Sequence, residues 1–80
     1  MLYKARHIIL RQELVQARLR AGLTWLQVAQ LLHKVQSFVS KAETGERYLD
    51  VIDFLAWCDA IEASASDVMS KVQPATTQNP

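Results

Sequence analysis

Along most of this chain, apolar residues recur three or four positions apart, which is the spacing that gives a helix one apolar face. The first such segment covers about residues 4–21, and Gly22 follows it as a residue that commonly ends a helix. Alternating β-branched residues are absent, and only two glycines and two prolines occur, so strands have little support. The apolar face of this first predicted helix consists of Ile8, Leu10, Leu14, Val15 and Leu19.

A second, shorter helix is predicted over about residues 25–32. Thr24 precedes it and Gln27 stands three positions later, which is the form of a capping box at a helix N-terminus. Residues 33–35 then break the apolar pattern without glycine or proline, so they are predicted to form a tight turn. The residues of this helix that are available to a core are Leu26, Val28, Ala29 and Leu32.

The third predicted helix covers about residues 36–44. Its Val39 and Ala42 face inward, and Gly45 ends it. Two short helices are therefore joined by a tight turn. A chain of 80 residues is too short for two independent cores, so residues 1–72 are predicted to form one all-α domain.

Two further helices complete a predicted set of five. Asp50 caps the fourth, whose apolar residues follow the i, i+3, i+4, i+7 pattern of a core face. Ser64 and Asp67 have the form of another capping box and start a fifth helix that ends near residue 72. Residues 73–80 are polar and proline-flanked, so a disordered tail is predicted there. The expected core residues are Phe54, Trp57, Cys58 and Ile61 in the fourth helix, with some of Val68, Met69 and Val72 in the fifth.

The net charge of +1 conceals an asymmetry between the two halves of the chain. Residues 1–49 contain eight Lys or Arg against three Asp or Glu, whereas residues 50–80 contain one against five. Lys and Arg contacts to phosphates supply most non-specific affinity for nucleic acids. A polyanion would therefore meet the first half, although basic residues that simply solvate helix faces would give the same count.

Several function classes find no support in the sequence. No apolar run is long enough to span a membrane, and the three-residue apolar run before Arg11 is too short for a signal peptide. We therefore expect a cytoplasmic protein associated with the bacterial nucleoid. The single cysteine, Cys58, allows no intramolecular disulfide and is interpreted as a buried apolar residue. His7 and His33 have no partners in a catalytic or metal-binding motif, so neither an enzyme, a metal nor a cofactor is expected.

One segment resembles a known family, and it reads GLTWLQVAQLLHKVQSFVSKAETGERYLDVIDFLAWCDAI. It resembles the Cro and phage-repressor-like (XRE) family of helix-turn-helix transcriptional regulators, over about residues 6–72. The resemblance implies a five-helix Cro/repressor-like helix-turn-helix domain that binds operator DNA, as small single-domain relatives on phages and mobile elements do. The residues that carry it are Gly22, Leu23, Thr24, Val28, Ala29, Leu32, residues 36–41, Glu43 and residues 45–47.

In that family the third helix lies in the major groove and the preceding helix bridges the DNA backbone. The resemblance therefore implies that Gln36, Ser37, Ser40 and Lys41 face the bases. Glutamine pairs with adenine and lysine with guanine, which favours Gln36 and Lys41 for direct readout. Phe38 either contacts the DNA or packs in the core. The expected contacts to the DNA backbone come from Thr24, Trp25, Lys34, Phe38, Arg47 and Tyr48.

Three residues depart from the family pattern. His33 stands where glycine is usual in the turn, and a left-handed backbone there costs about 1 kcal/mol. Val35 replaces the usual Ser or Thr, so the third helix lacks a side-chain N-cap. Trp25 replaces a common glutamine, and it could donate to a phosphate or take a core or interface position. The family pattern also implies a partly buried ion pair between Arg18 and Glu43.

A single domain of this kind covers only a half-site, so a homodimer is implied. The expected dimer surface consists of Ile52, Leu55, Met69 and Val72, although peripheral core packing explains these apolar residues almost as well. The function expected from the resemblance is a transcriptional regulator that represses or switches a nearby promoter. The alternative is a protein-interaction module, such as an antitoxin or antiactivator, that keeps the same fold.

Overall fold

Residues 2–75 are described by the computed structural model, with side chains from Lys4 onward. This part of the chain forms five α-helices and no strand, which confirms the predicted all-α fold. The helices are α1 (Leu2–Arg20), α2 (Trp25–Leu32), α3 (Gln36–Thr44), α4 (Val51–Ala60) and α5 (Ala65–Val72).

Side-chain caps start three of these helices. At α2 both halves of the capping box are present, since Thr24 Oγ1 accepts from the Gln27 N–H at 3.1 Å and Gln27 Oε1 accepts from the Thr24 N–H at 2.9 Å. Asp50 accepts from the third N–H of α4 at 2.7 Å. Ser64 accepts from the Asp67 N–H at 3.1 Å. Each cap satisfies a backbone donor that the first helical turn leaves free, which places these helix starts where the sequence predicts them.

The turn between α2 and α3 needs a left-handed residue, and His33 supplies it. Its backbone has φ 57° and ψ 41°, and the next N–H, of Lys34, donates to the Ala29 carbonyl oxygen at 2.9 Å. Val35 then precedes α3 in an extended conformation without a side-chain cap. Both expectations drawn from these departures are confirmed.

Replacing His33 with glycine is expected to raise the free energy of unfolding by about 0.5 to 1 kcal/mol, because glycine has no Cβ to strain at positive φ. This is a net gain, because the strain relieved at positive φ exceeds the entropy cost that glycine adds by giving the unfolded chain more conformations. Chemical denaturation measures the change. His33→Ala, which keeps a Cβ, is the control and is expected to show no gain. Equal stability of the glycine and alanine variants would contradict the prediction.

The core lies between α4 and the other helices. Phe54, Trp57 and Cys58 of α4 are buried, as is Ile61 directly after it, so the predicted apolar face is confirmed. Burial, together with the neighbouring charge of Asp59, raises the pKa of the Cys58 thiol. The other helices contribute Leu14, Ala17, Val28, Ala29, Phe38, Val39, Ala42, Val68 and Val72.

Two leucines predicted for the core are exposed. Leu26 lies on the solvent-facing side of α2, because this helix packs against the core through Val28 and Ala29, which are almost fully buried. Leu19 near the end of α1 is also exposed, and the buried positions of that helix are Leu14 and Ala17.

The predicted tail falls partly within the described residues. The Arg6 guanidinium donates to the carbonyl oxygens of Gln73, at 3.0 Å, and Ala75, at 3.3 Å. Residues 73–75 therefore contact α1. Residues 76–80 lie outside the part of the chain that the structure describes. Among the described helices, none is long and apolar enough to cross a membrane.

Candidate nucleic-acid interface

The solvent-facing side of α3 is polar along its whole length. Its opposite side is buried through Phe38, Val39 and Ala42. Because one turn of helix takes 3.6 residues, the four residues predicted to read bases fall together on the other side. The exposed side consists of Gln36, Ser37, Lys41 and Thr44, with the partly exposed Ser40 among them.

Thr44 belongs to this side and was missed by the sequence analysis. The helical period alone would have found it, since it follows Ser40 by four positions and Lys41 by three. Its hydroxyl lies 3.0 Å from Glu46 Oε2 and can donate to it. Because that hydroxyl already has an acceptor at the C-terminal end of α3, we do not add Thr44 to the base-reading residues.

The N-terminus of α2 lies beside α3 and presents free backbone donors. The N–H groups of Trp25 and Leu26 have no acceptor within residues 2–75, as expected in the first turn of a helix. Thr24 lies at the same end, with its hydroxyl oxygen engaged as an acceptor in the capping box. These N–H groups can bind an anion such as a DNA phosphate.

The Trp25 indole makes a different contact from the one considered in the sequence analysis. Its Nε1–H donates to Glu43 Oε1 at 2.8 Å, so it is not free for a phosphate. This contact crosses from α2 to α3, and it corrects the assignment of the Trp25 side chain to the DNA backbone. Among residues 2–75, the backbone N–H is the donor of Trp25 that has no acceptor.

Glu43 is the acceptor at the centre of a hydrogen-bonded network. Arg18 donates to both of its oxygens, from Nε at 2.7 Å and from Nη2 at 3.0 Å, and Arg18 Nη1 donates to the Leu23 carbonyl oxygen at 2.8 Å. The side chains of Arg18 and Glu43 are only 11% and 5% exposed. This is the bidentate ion pair that the resemblance implied. It neutralises the acidic residue of α3 and ties α3 to α1.

Basic residues frame a cavity at the start of α3. The cavity has a volume of about 370 Å³, and its lining includes Lys34, Lys41 and Arg47. Phe38 also lines this cavity, but the residue is only 7% exposed. The assignment of Phe38 as a direct DNA contact is therefore corrected, because most of its surface is packed in the core.

The loop after α3 is held against α1. The rings of His7 and Tyr48 stack with their centroids 3.9 Å apart, and Tyr48 stays largely exposed. Gly45 has φ 91°, and the Arg11 guanidinium occupies the space that a Cβ would need. These contacts fix where the loop presents Arg47 beside α3.

Comparison with known proteins identifies the family. No family model and no curated protein matches the chain. A solved structure described as an XRE-family like protein from Pseudomonas syringae pv. tomato str. DC3000 is 40% identical in sequence, with a TM-score of 0.85. The match covers 90% of this chain and 88% of that one. The chain belongs to the XRE family.

An XRE-family fold is that of a DNA-binding regulator with a helix-turn-helix motif. In this XRE-family chain the motif consists of α2, the turn at His33 and α3. The fold confirms the family and architecture that the resemblance implied. The structure brings the residues predicted to contact DNA to α3, the start of α2 and the two flanking loops.

The residues expected to form a dimer surface divide into two groups. Ile52 and Leu55 on α4 are 72% and 43% exposed, and Met69 on α5 is also exposed. Val72 is only 7% exposed and belongs to the core, which removes it from the expected dimer surface. Val51, which the sequence analysis did not name, is exposed beside Ile52. An apolar strip on α4 therefore remains without a partner among the described residues.

Proposed function

We propose that this XRE-family chain is a transcriptional regulator that binds operator DNA as a homodimer, with α3 in the major groove. The observation that carries the proposal is the polar, solvent-facing side of α3, from which the acidic Glu43 is withdrawn by its ion pair with Arg18. The remaining charge on this side is the cation Lys41. Along Gln36 to Lys41 this side carries no anion, and such a polar surface can approach the edges of DNA bases.

In this proposal the bases are read from the polar, solvent-facing side of α3. The Gln36 amide can bond the N6 and N7 positions of adenine, and the Lys41 ammonium can donate to guanine O6 and N7. Ser37 is exposed and able to bond either a base or a phosphate. Ser40 donates within the helix to the Ser37 carbonyl oxygen at 3.3 Å, so we give it a secondary role.

The contacts to the DNA backbone come from the two ends of the motif. The free N–H groups at the start of α2, near Thr24 and Trp25, would bind one phosphate. Lys34 and Arg47 would bind the backbone at the edge of α3, and the Tyr48 hydroxyl would donate beside them. These contacts set the position of α3 on the duplex and do not select its sequence.

The homodimer in this proposal follows from the size of the site. A single nine-residue recognition helix reads one half-site, whereas specific operators present two half-sites about 34 Å apart. Ile52, Leu55 and Met69 form the surface through which two copies would associate. A dimer bound across a promoter would exclude the transcription machinery, so repression is the regulatory effect we propose.

The test of this function is a binding titration with two duplexes, the region upstream of the chain's own gene and a scrambled version, each at two salt concentrations. We expect at least about a hundredfold preference for the native region, and an affinity that falls as salt rises. Equal, weak binding to both duplexes would count against an autoregulating operator binder. A pull-down would then examine the protein-interaction alternative.

Replacing Gln36 or Lys41 with alanine is expected to weaken operator binding by about 1 to 3 kcal/mol, because each variant loses contacts to a base edge. Both residues are exposed, so thermal unfolding should be unchanged. Gln12→Ala and Lys4→Ala on α1 are the matched controls, since they remove the same side-chain types outside the motif. Wild-type operator affinity in both α3 variants would refute the assignment of base readout.

A further inference from the structure

One aromatic ring lies under two cations at the edge of the motif. Lys34 precedes α3 and Arg47 follows it, yet both approach the ring of Phe38. The Lys34 Nζ lies 5.1 Å from the ring centroid, and the Arg47 Cζ lies 4.4 Å from it. Two cations thirteen positions apart in the sequence therefore contact the same aromatic ring in the folded chain.

We propose that Phe38 is the positioning residue of a phosphate site, in which its ring holds Lys34 and Arg47 together so that they bind the DNA backbone as a unit. The inference rests on the proposed function, because it assumes that the cavity beside α3 receives DNA. Phe38 itself does not touch the phosphate in this arrangement. It acts through the two cations that it holds.

The physical reason begins with the repulsion between the two charges. Both lie within a few ångströms of one ring, and two positive charges that approach the same ring repel each other. The negative face of an aromatic ring attracts ammonium and guanidinium groups at these distances. Because Phe38 is only 7% exposed, its ring is fixed by the core and provides a rigid platform.

The second reason is the space that the two cations border. Lys34, Phe38 and Arg47 line the same cavity of about 370 Å³, together with Ser37 and Lys41. No acidic residue lines that cavity, so its electrostatic potential favours an anion. Long basic side chains lose conformational entropy when they bind. Holding them in place beforehand reduces that loss, which makes the affinity for phosphate depend on a residue that carries no charge.

The test is a double-mutant cycle with a short duplex of arbitrary sequence, so that only backbone contacts are measured. Phe38→Leu keeps an apolar side chain and all the charges but removes the ring. We expect it to weaken duplex binding about fivefold in the wild-type background. In a chain that carries Lys34→Gln and Arg47→Gln, the same change should have no effect on binding, because no cation is left to be held.

A purely structural role for Phe38 predicts the opposite result in the second background. The loss of affinity would then be equal with and without the two cations, and this outcome would overturn the proposal. Circular dichroism of each variant establishes the folded fraction to which the affinities are referred. If the wild-type chain shows no salt-dependent binding to the duplex, the proposed function itself fails. If the wild-type chain binds the duplex but Phe38→Leu weakens binding equally in both backgrounds, only this inference is overturned and the proposed function stands.

A measurement on the wild-type chain does not depend on how well the variant folds. Methylene protons of Lys34 and Arg47 that lie over the ring should resonate upfield of their usual positions in a proton NMR spectrum, because of the ring current. Unshifted resonances for both residues would show that the ring does not hold them in solution, and would also overturn the proposal.

Discussion

Replacing Arg18 with methionine is expected to lower the free energy of unfolding by about 3 kcal/mol, because it leaves the Glu43 carboxylate buried without its cationic partner. Glu43 is 5% exposed in its side chain, and only the Trp25 indole would still donate to it. The Leu23 carbonyl oxygen would also lose its donor. Urea denaturation followed by circular dichroism measures the difference.

The control for this prediction is the double variant Arg18→Met with Glu43→Leu. Removing both charges eliminates the unpaired carboxylate, and an apolar pair of similar size is often as stable as the ion pair it replaces. The double variant should therefore regain most of the stability lost in the single variant. A loss below about 1 kcal/mol in Arg18→Met would mean that the pair behaves like an exposed salt bridge.

Replacing Leu55 with glutamate is expected to convert the proposed homodimer to a monomer and to weaken operator binding roughly a thousandfold, to the level of non-specific binding. Leu55 is 43% exposed, so a charge there should leave the monomer folded. In the dimer, however, the introduced carboxylate would lose its hydration without gaining a partner when α4 packs against a second copy. Analytical ultracentrifugation measures the association, and the operator titration measures the affinity.

Leu31→Glu is the matched control, since it introduces the same charge at another exposed leucine. Leu31 borders a groove with Asp67 and Lys71 of α5, whereas Met69 lies on a different side of that helix. This variant should remain dimeric and keep its operator affinity. A dimer that persists in Leu55→Glu but dissociates in Leu31→Glu would place the interface at that groove.

The local parts of the fold were predictable because their causes are local. The caps at Thr24, Asp50 and Ser64 involve residues three positions apart, so the sequence displays both partners. The face of α4 was predictable because the four apolar residues Phe54, Trp57, Cys58 and Ile61 follow one helical period. The left-handed turn at His33 followed from the family pattern, since the chain has to reverse there whichever residue occupies the position.

The shorter helices were predicted less well. Leu26 is as apolar as the residues that the core accepts, and a helix of eight residues gives too few positions to define its buried side. Leu19 was also misplaced, although it lies near the end of the long helix α1. Val72 shows the reverse error, since it was placed on an interface and the packing of α5 buries it. Periodicity predicts that a helix has an apolar side but not the exact direction in which neighbouring helices cover it.

The amino-acid sequence by itself determined the number of helices, their ends, the family and the polar residues that α3 presents to solvent. Each of these depends on residue spacing within one helix or on a motif of contiguous residues. Only the tertiary structure decided that the Trp25 indole bonds Glu43 and that Lys34 and Arg47 meet over Phe38. Trp25 and Glu43 are 18 positions apart, and Lys34 and Arg47 are thirteen positions apart. Whether they meet depends on how the helices cross, which no local pattern of residues specifies.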